Sequence, residues 1–184
     1  MGKSSLLFIA LIVIALPSID LDPLPQASIA PAFAADFSAD PGVYPARISI
    51  PSISLNSPVI PMGLTSSGEI DVPSGKTKNV GWYRYGTVPG DRGNAVFDAH
   101  VFAAFKNLRY AKVGDVVSIT AADGTTQRFR IDSSVVYPVS DVPMANIILD
   151  ESARKITLIT CAKKFIPSMQ TYSHRLVVTA TLIE

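Results

Sequence analysis

Val116-Val117-Ser118-Ile119-Thr120-Ala121, then Ala122-Asp123-Gly124-Thr125, then Thr126-Gln127-Arg128-Phe129-Arg130-Ile131, is the stretch from which the fold class is read. Both flanks alternate apolar and polar residues and favour β-branched and aromatic side chains, as a half-buried strand does. Asp123-Gly124 between them tolerates the positive φ angles of a tight hairpin turn. The segment is therefore a β-hairpin.

Strand signals recur on either side of it. Ala46-Arg47-Ile48-Ser49-Ile50 alternates until Pro51 stops it, and Asn94-Ala95-Val96-Phe97 is a short apolar strand entered through the turn formers Pro89-Gly90-Asp91-Arg92-Gly93. Lys155 to Cys161 (KITLITC) and Leu176 to Leu182 (LVVTATL) are rich in β-branched residues and bracket a loop containing Pro167 and Ser168. Helical turns are expected only at Phe102 to Leu108 and Asp141 to Ile148, both short. Many short strands with turn signals between them predict an all-β barrel or sandwich rather than βαβ units. Periodicity goes no further.

The N-terminus reads differently. Lys3 precedes the uncharged run Leu6 to Leu16 and then Pro17, the layout of a secretory signal, and Ala32-Phe33-Ala34 has the small-x-small form of a cleavage site. The run falls short of the ~20 residues that span a bilayer, so a permanent anchor has to recruit Pro17 to Leu24 despite Asp20 and Asp22. Residues 1–35 are read as an export signal or weak membrane anchor, 36–44 as a Pro/Ala-rich linker, and 45–184 as one folded domain of ordinary size. The protein is expected to be exported and extracytoplasmic, membrane-associated or secreted.

Sixteen Lys and Arg against fifteen Asp and Glu give a net charge of +1, with no basic stripe interleaved with aromatics. Nucleic acid is excluded as an expected partner. Cys161 is the only cysteine, so it forms no internal disulfide, and His100 and His174 make no zinc-ligand pattern with it. No dense acidic cluster suggests calcium, and no metal or other cofactor is expected.

Cys161 stands at the end of a strand before Ala162-Lys163-Lys164, where it is either a buried small apolar residue or a working thiol. Lys163 and Lys164 would favour its thiolate, or are simply a solvated loop. His100 closes the strand that starts at Asn94, a position that more often holds a packed or hydrogen-bonded histidine than a catalytic one. His174 and Arg175 are strand neighbours and point to opposite faces, so only one can share a cleft with Cys161. Arg175 is either a solvated strand-end cation or a fixed set of donors aimed at an acyl-transfer oxyanion. Spacing alone does not select among these.

Their surroundings do. Thr157-Leu158-Ile159-Thr160-Cys161 resembles the Thr-Leu-x-Thr-Cys signature of sortases, with Arg175 fourteen residues later, as the family arginine is. Upstream, Asn94 to His100, Phe102 to Leu108 and Gly114-Asp115-Val116 resemble the family segment in which a strand-end histidine precedes a Phe-x-x-Leu element and a Gly-Asp turn. The likeness runs through Ile48-Ser49-Ile50-Pro51, Gly81-Trp82-Tyr83 and Pro89 to Asn94. These outer segments are most similar to class E or F sortases. The chain departs from the family at Ala99, where Gly commonly precedes the histidine, and in the short segment from His100 to Phe105.

The resemblance implies an eight-stranded β-barrel with one or two short helices. It implies a cysteine transpeptidase that cleaves a Leu-Pro-x-Thr-Gly-like sorting signal of exported proteins and passes the acyl group to an amine acceptor of cell wall or pilin. Cys161 would be the nucleophile, His100 the general acid and base, and Arg175 the oxyanion stabiliser. Two other readings remain beside it: a hydrolase on the same fold, and a non-enzymatic secreted β-module in cell-surface assembly.

Overall fold

The computed structural model describes residues 44–183. The expected export signal or anchor at 1–35 and the linker, apart from Tyr44, lie outside the described residues. Among those described, no helix is long and apolar enough to cross a membrane.

Eight strands close on themselves. They are β1 (Pro45–Ile50), β2 (Leu55–Met62), β3 (Val80–Tyr83), β4 (Gly93–Asp98), β5 (Val116–Ala121), β6 (Thr126–Pro138), β7 (Arg154–Ile166) and β8 (Thr171–Leu182). Their order around the barrel is β1-β2-β3-β4-β7-β8-β6-β5, with β5 returning to β1. The pairs β2–β3 and β4–β7 are parallel and the rest antiparallel. Closure leaves no sheet edge to pair with another chain. Among the described residues the one α-helix, α1 (Met144–Ile148), matches the second expected helical turn, and Phe102 to Leu108 is a run of turns ending in a 3-10 turn at Leu108–Tyr110.

The hairpin of β5 and β6 forms as read, with Val116 opposite Arg130 and Thr120 opposite Thr126. Gly124 carries the positive φ, 88°, while the Asp123 carboxylate accepts from the Thr125 backbone N–H at 2.8 Å. The barrel interior is filled by the inward set of these strands: Ile48 and Ile50, Trp82, Phe97, Phe129, Leu158 and Val178 are all buried. Trp82 keeps its polar edge satisfied by donating to the Thr87 carbonyl at 3.2 Å.

The structure corrects three strand limits. β2 is hidden in the sequence by Pro58 and Pro61, since proline cannot donate to a ladder. It is nevertheless a strand, with Leu55, Ser57 and Val59 buried and Asn56 and Pro58 exposed between them. β6 runs on past Ile131 through an irregularity before Ser133 and continues to Pro138. The third correction bears on the site. Cys161 is not at a strand end, because β7 continues to Ile166 and β8 begins at Thr171. Ala162 still pairs with His174, Lys163-Lys164 is a bulge within a long hairpin, with Lys163 at φ 64°, and pairing resumes at Phe165 with Tyr172. An unpaired residue breaks the period-2 pattern, so the bulge looks like a loop when read from sequence.

Candidate active site

The second face of β4, β7 and β8 builds the site. Residues 95, 97 and 99 of the β4 segment point into the barrel core, so Asn94, Val96 and Asp98 point outward. On β7 the outward set is Thr157, Ile159 and Cys161, and on β8 it is Thr179, Val177 and Arg175. Asp98 lies opposite Ile159, Ile159 opposite Val177, and Cys161 opposite Arg175. A smaller apolar cluster of Val96, Ile147 and Val177 covers part of this face, held by α1.

Above the uncovered part is a cavity of about 680 Å³. Its floor is Val96, Asp98, Ile159, Cys161 and Arg175, and His100 stands at its side. Leu64, Ile70 and Val72 from the β2–β3 connection and Val142, Met144 and Ile148 from the β6–β7 connection form largely apolar walls. His174 is not among the lining residues, and its ring Nδ1 lies 2.8 Å from the Ser173 hydroxyl. The opposed directions of His174 and Arg175 follow from strand alternation.

Two threonines tie the halves of this site together. The Thr157 hydroxyl donates to the Asn94 side-chain oxygen at 3.0 Å, and the Thr160 hydroxyl donates to the Ala99 carbonyl at 2.7 Å, both buried. The second bond joins the residue before Cys161 to the residue before His100. The threonine spacing before Cys161 thus has a structural cause in the parallel β4–β7 contact, with Leu158 between them in the core.

His100 leaves the end of β4 and stacks on Phe102, with ring centroids 4.8 Å apart and planes inclined by 13°. Gly75 closes over the pair: a Cβ there would come within 2.7 Å of Phe102 and 3.3 Å of His100. Arg175 is held by its own strand. Its Nη1 donates to the carbonyls of Tyr172 and His174, both at 3.1 Å, and its Nη2 donates to the Thr171 hydroxyl at 2.9 Å.

Burial pushes the Cys161 thiol up, Arg175 pulls it back down and Asp98 adds to the rise. The charge that favours thiolate is therefore the cross-strand arginine rather than Lys163 or Lys164, which the bulge carries past the thiol. Asp98 is a residue of the site that no motif in the sequence singles out. Its one legible signal is an acid within the otherwise apolar run Ala95-Val96-Phe97-Asp98-Ala99. In the fold it is 9% exposed, and its Oδ1 has no hydrogen-bond partner. Burial first, and Asp71 second, push its carboxyl up to about 8. A Cβ on Gly81 would stand 2.5 Å from that oxygen, so the neighbouring strand leaves it room only because residue 81 is glycine.

Comparison with known proteins agrees with this architecture. The model of the Sortase domain matches residues 48–183. Among solved structures, sortase A from Corynebacterium diphtheriae is 26% identical with a TM-score of 0.58, over 80% of this chain and 63% of that one. The chain thus spans a little under two thirds of that relative. Sortase C from Clostridium perfringens SM101 (21% identity, TM-score 0.58, 79% of this chain and 72% of that one) shares the fold. So does sortase C1 from Streptococcus suis (23% identity, TM-score 0.59, 78% and 74%). No curated protein matches the chain.

Proposed function

Because the chain belongs to the sortase family, we propose that it is an extracytoplasmic cysteine transpeptidase with Cys161 as nucleophile, His100 as general acid and base, and Arg175 as oxyanion stabiliser. The observation that carries the proposal is the direct cross-strand pairing of Cys161 with Arg175 on the floor of a cavity that His100 also lines. Its substrates are exported proteins ending in a Leu-Pro-x-Thr-Gly-like signal, and its acceptor is an amine of cell wall or pilin. The class E or F likeness of the outer segments is part of the same reading.

The proposed steps use these three side chains. The Cys161 thiolate attacks the threonine carbonyl carbon, and the oxygen gathers negative charge. Arg175 meets that charge with Nε–H and the second Nη2 hydrogen, its other contacts being committed to Tyr172, His174 and Thr171. The C–N bond breaks as His100 gives a proton to the departing amine, leaving a thioester on Cys161. The acceptor amine then attacks the thioester, loses a proton to His100 and expels Cys161 as thiolate. Burial favours the neutral thiol, so its proton passes to His100 as the thiolate forms, and that is the proton His100 then gives to the departing amine.

The test is a Leu-Pro-x-Thr-Gly peptide with the full-length chain, followed by mass spectrometry of Cys161 with and without triglycine. A thioester adduct that triglycine converts into a new peptide bond is the expected result, absent in Cys161→Ala. Release at the same rate whether or not amine is present would assign a hydrolase. A thiol that forms no adduct and resists alkylation in the folded protein would leave a non-enzymatic module.

A further inference from the structure

Asp98 is a charge-bearing side chain placed where the fold itself has no use for one. Val96 and Phe97 before it and Ala99 after it are apolar, its Oδ1 is buried without a partner, and the residue lines the same cavity as Cys161. An ionised carboxyl in such a place is costly unless a cation or several donors reach it. Among the described residues the carboxyl meets one donor, its own backbone N–H, and no cation.

The charges around the cavity are also sorted. In the order β4, β7, β8, Asp98 lies on one side of the Cys161 strand and Arg175 on the other. Asp71 acts on Asp98 electrostatically and Glu69 lines the cavity, so further acid surrounds Asp98. His100, Tyr83 and Tyr172 are the remaining ionisable groups on the lining. An oxyanion forming at Cys161 is attracted towards β8, and a cation arriving at Cys161 is attracted towards β4.

We propose that Asp98 receives the acceptor: its carboxylate pairs with the ammonium of a cationic primary amine entering beside the Cys161 thioester, and takes the first of that ammonium's protons. The inference rests on the thioester reading above. Of the three ammonium protons, one goes to Asp98, one to His100 as the C–N bond forms and the C–S bond breaks, and one stays on the new amide. Cys161 leaves as thiolate. The weakened acidity of Asp98 suits this task, because a carboxylate whose acid has been pushed up to about 8 by burial is a far stronger base towards an ammonium than an ordinary carboxylate. The arriving cation favours the ionised carboxylate that burial alone disfavours, so Asp98 gives up its resting proton to solvent as the ammonium pairs with it, and only then takes a proton from that ammonium.

The experiment measures how the acyl-enzyme divides between amine and water in wild type and Asp98→Asn. Glycinamide serves as the cationic amine, and hydroxylamine, neutral at pH 7, as the control. The asparagine variant should lose the aminolysis-to-hydrolysis ratio for glycinamide by about tenfold or more while the ratio for hydroxylamine stays within about threefold. Equal losses for both amines would make Asp98 a packing residue, and no loss for either would remove it from acceptor binding; each overturns the proposal. Should Asp98→Asn fail to fold, Asp98→Ser poses the same comparison with a smaller neutral side chain. A wild-type protein that forms no thioester would instead refute the transpeptidase reading itself.

Discussion

Cys161 and Arg175 face each other directly across β7 and β8, one step before the bulge that lifts Lys163 out of the ladder. The pair is set by strand register, and the guanidinium acts on the thiol electrostatically without a loop to position it. Three hydrogen bonds to Tyr172, His174 and Thr171 then fix its orientation. A rigid cation on a strand is better preorganised for a developing oxyanion than one on a mobile loop.

Arg175→Lys keeps the charge and loses the planar donors. Acylation of Cys161 by the signal peptide should fall by about a hundredfold, equivalent to roughly 3 kcal/mol of transition-state stabilisation. A thermal melt should show the variant folded. Acylation at the wild-type rate would show that the arginine's charge alone suffices.

His100→Ala and His174→Ala separate the two histidines. Only His100 lines the cavity, so its removal should abolish turnover with peptide and amine, whereas His174→Ala should stay within about twofold of wild type. Steady-state product formation decides it. A dead His174→Ala beside an active His100→Ala would reverse the roles.

Thr160 tests the staple between the two strands that carry the nucleophile and the histidine. Thr160→Val removes the hydroxyl and leaves the Ala99 carbonyl buried without that donor, which should cost about 1–3 kcal/mol in chemical denaturation. Thr160→Ser should recover most of that stability and the acylation rate. A valine variant as stable and active as wild type would show that the bond neither holds nor aligns the site.

Asp98 makes stability depend on pH in a definite direction. Its folded value, about 8, lies above the ordinary 3.8, so between these limits the folded protein holds a proton that the unfolded chain releases. Stability therefore falls as pH rises from about 4 to about 8, and the full penalty persists above that range. Asp98→Asn removes the penalty. Its melting temperature should exceed that of wild type by on the order of 5 °C at pH 8 and match it near pH 4. Equal gains at both pH values would place the effect in packing instead of ionisation. A gain at pH 8 together with poorer amine use would be a trade of stability for function at one residue.

The β class, the β5–β6 hairpin and the strands β1, β4, β7 and β8 are legible in the sequence, because period-2 alternation and turn chemistry act between near neighbours in the chain. The Thr-Leu-x-Thr-Cys stretch and the order of His100, Cys161 and Arg175 carried the family resemblance. Tertiary structure alone decided what those residues face. The Cys161–Arg175 pairing comes from a hairpin that continues through a bulge, and a single unpaired residue disguises such a strand as a loop. β2 escaped notice because its prolines conceal an alternation that becomes visible only once burial is known. Asp98 acquired meaning from Gly81 and Ile159 on neighbouring strands and from Asp71 in the β2–β3 connection. Desolvation depends on what packs around a group in space, and those neighbours are brought together only by closure of the barrel.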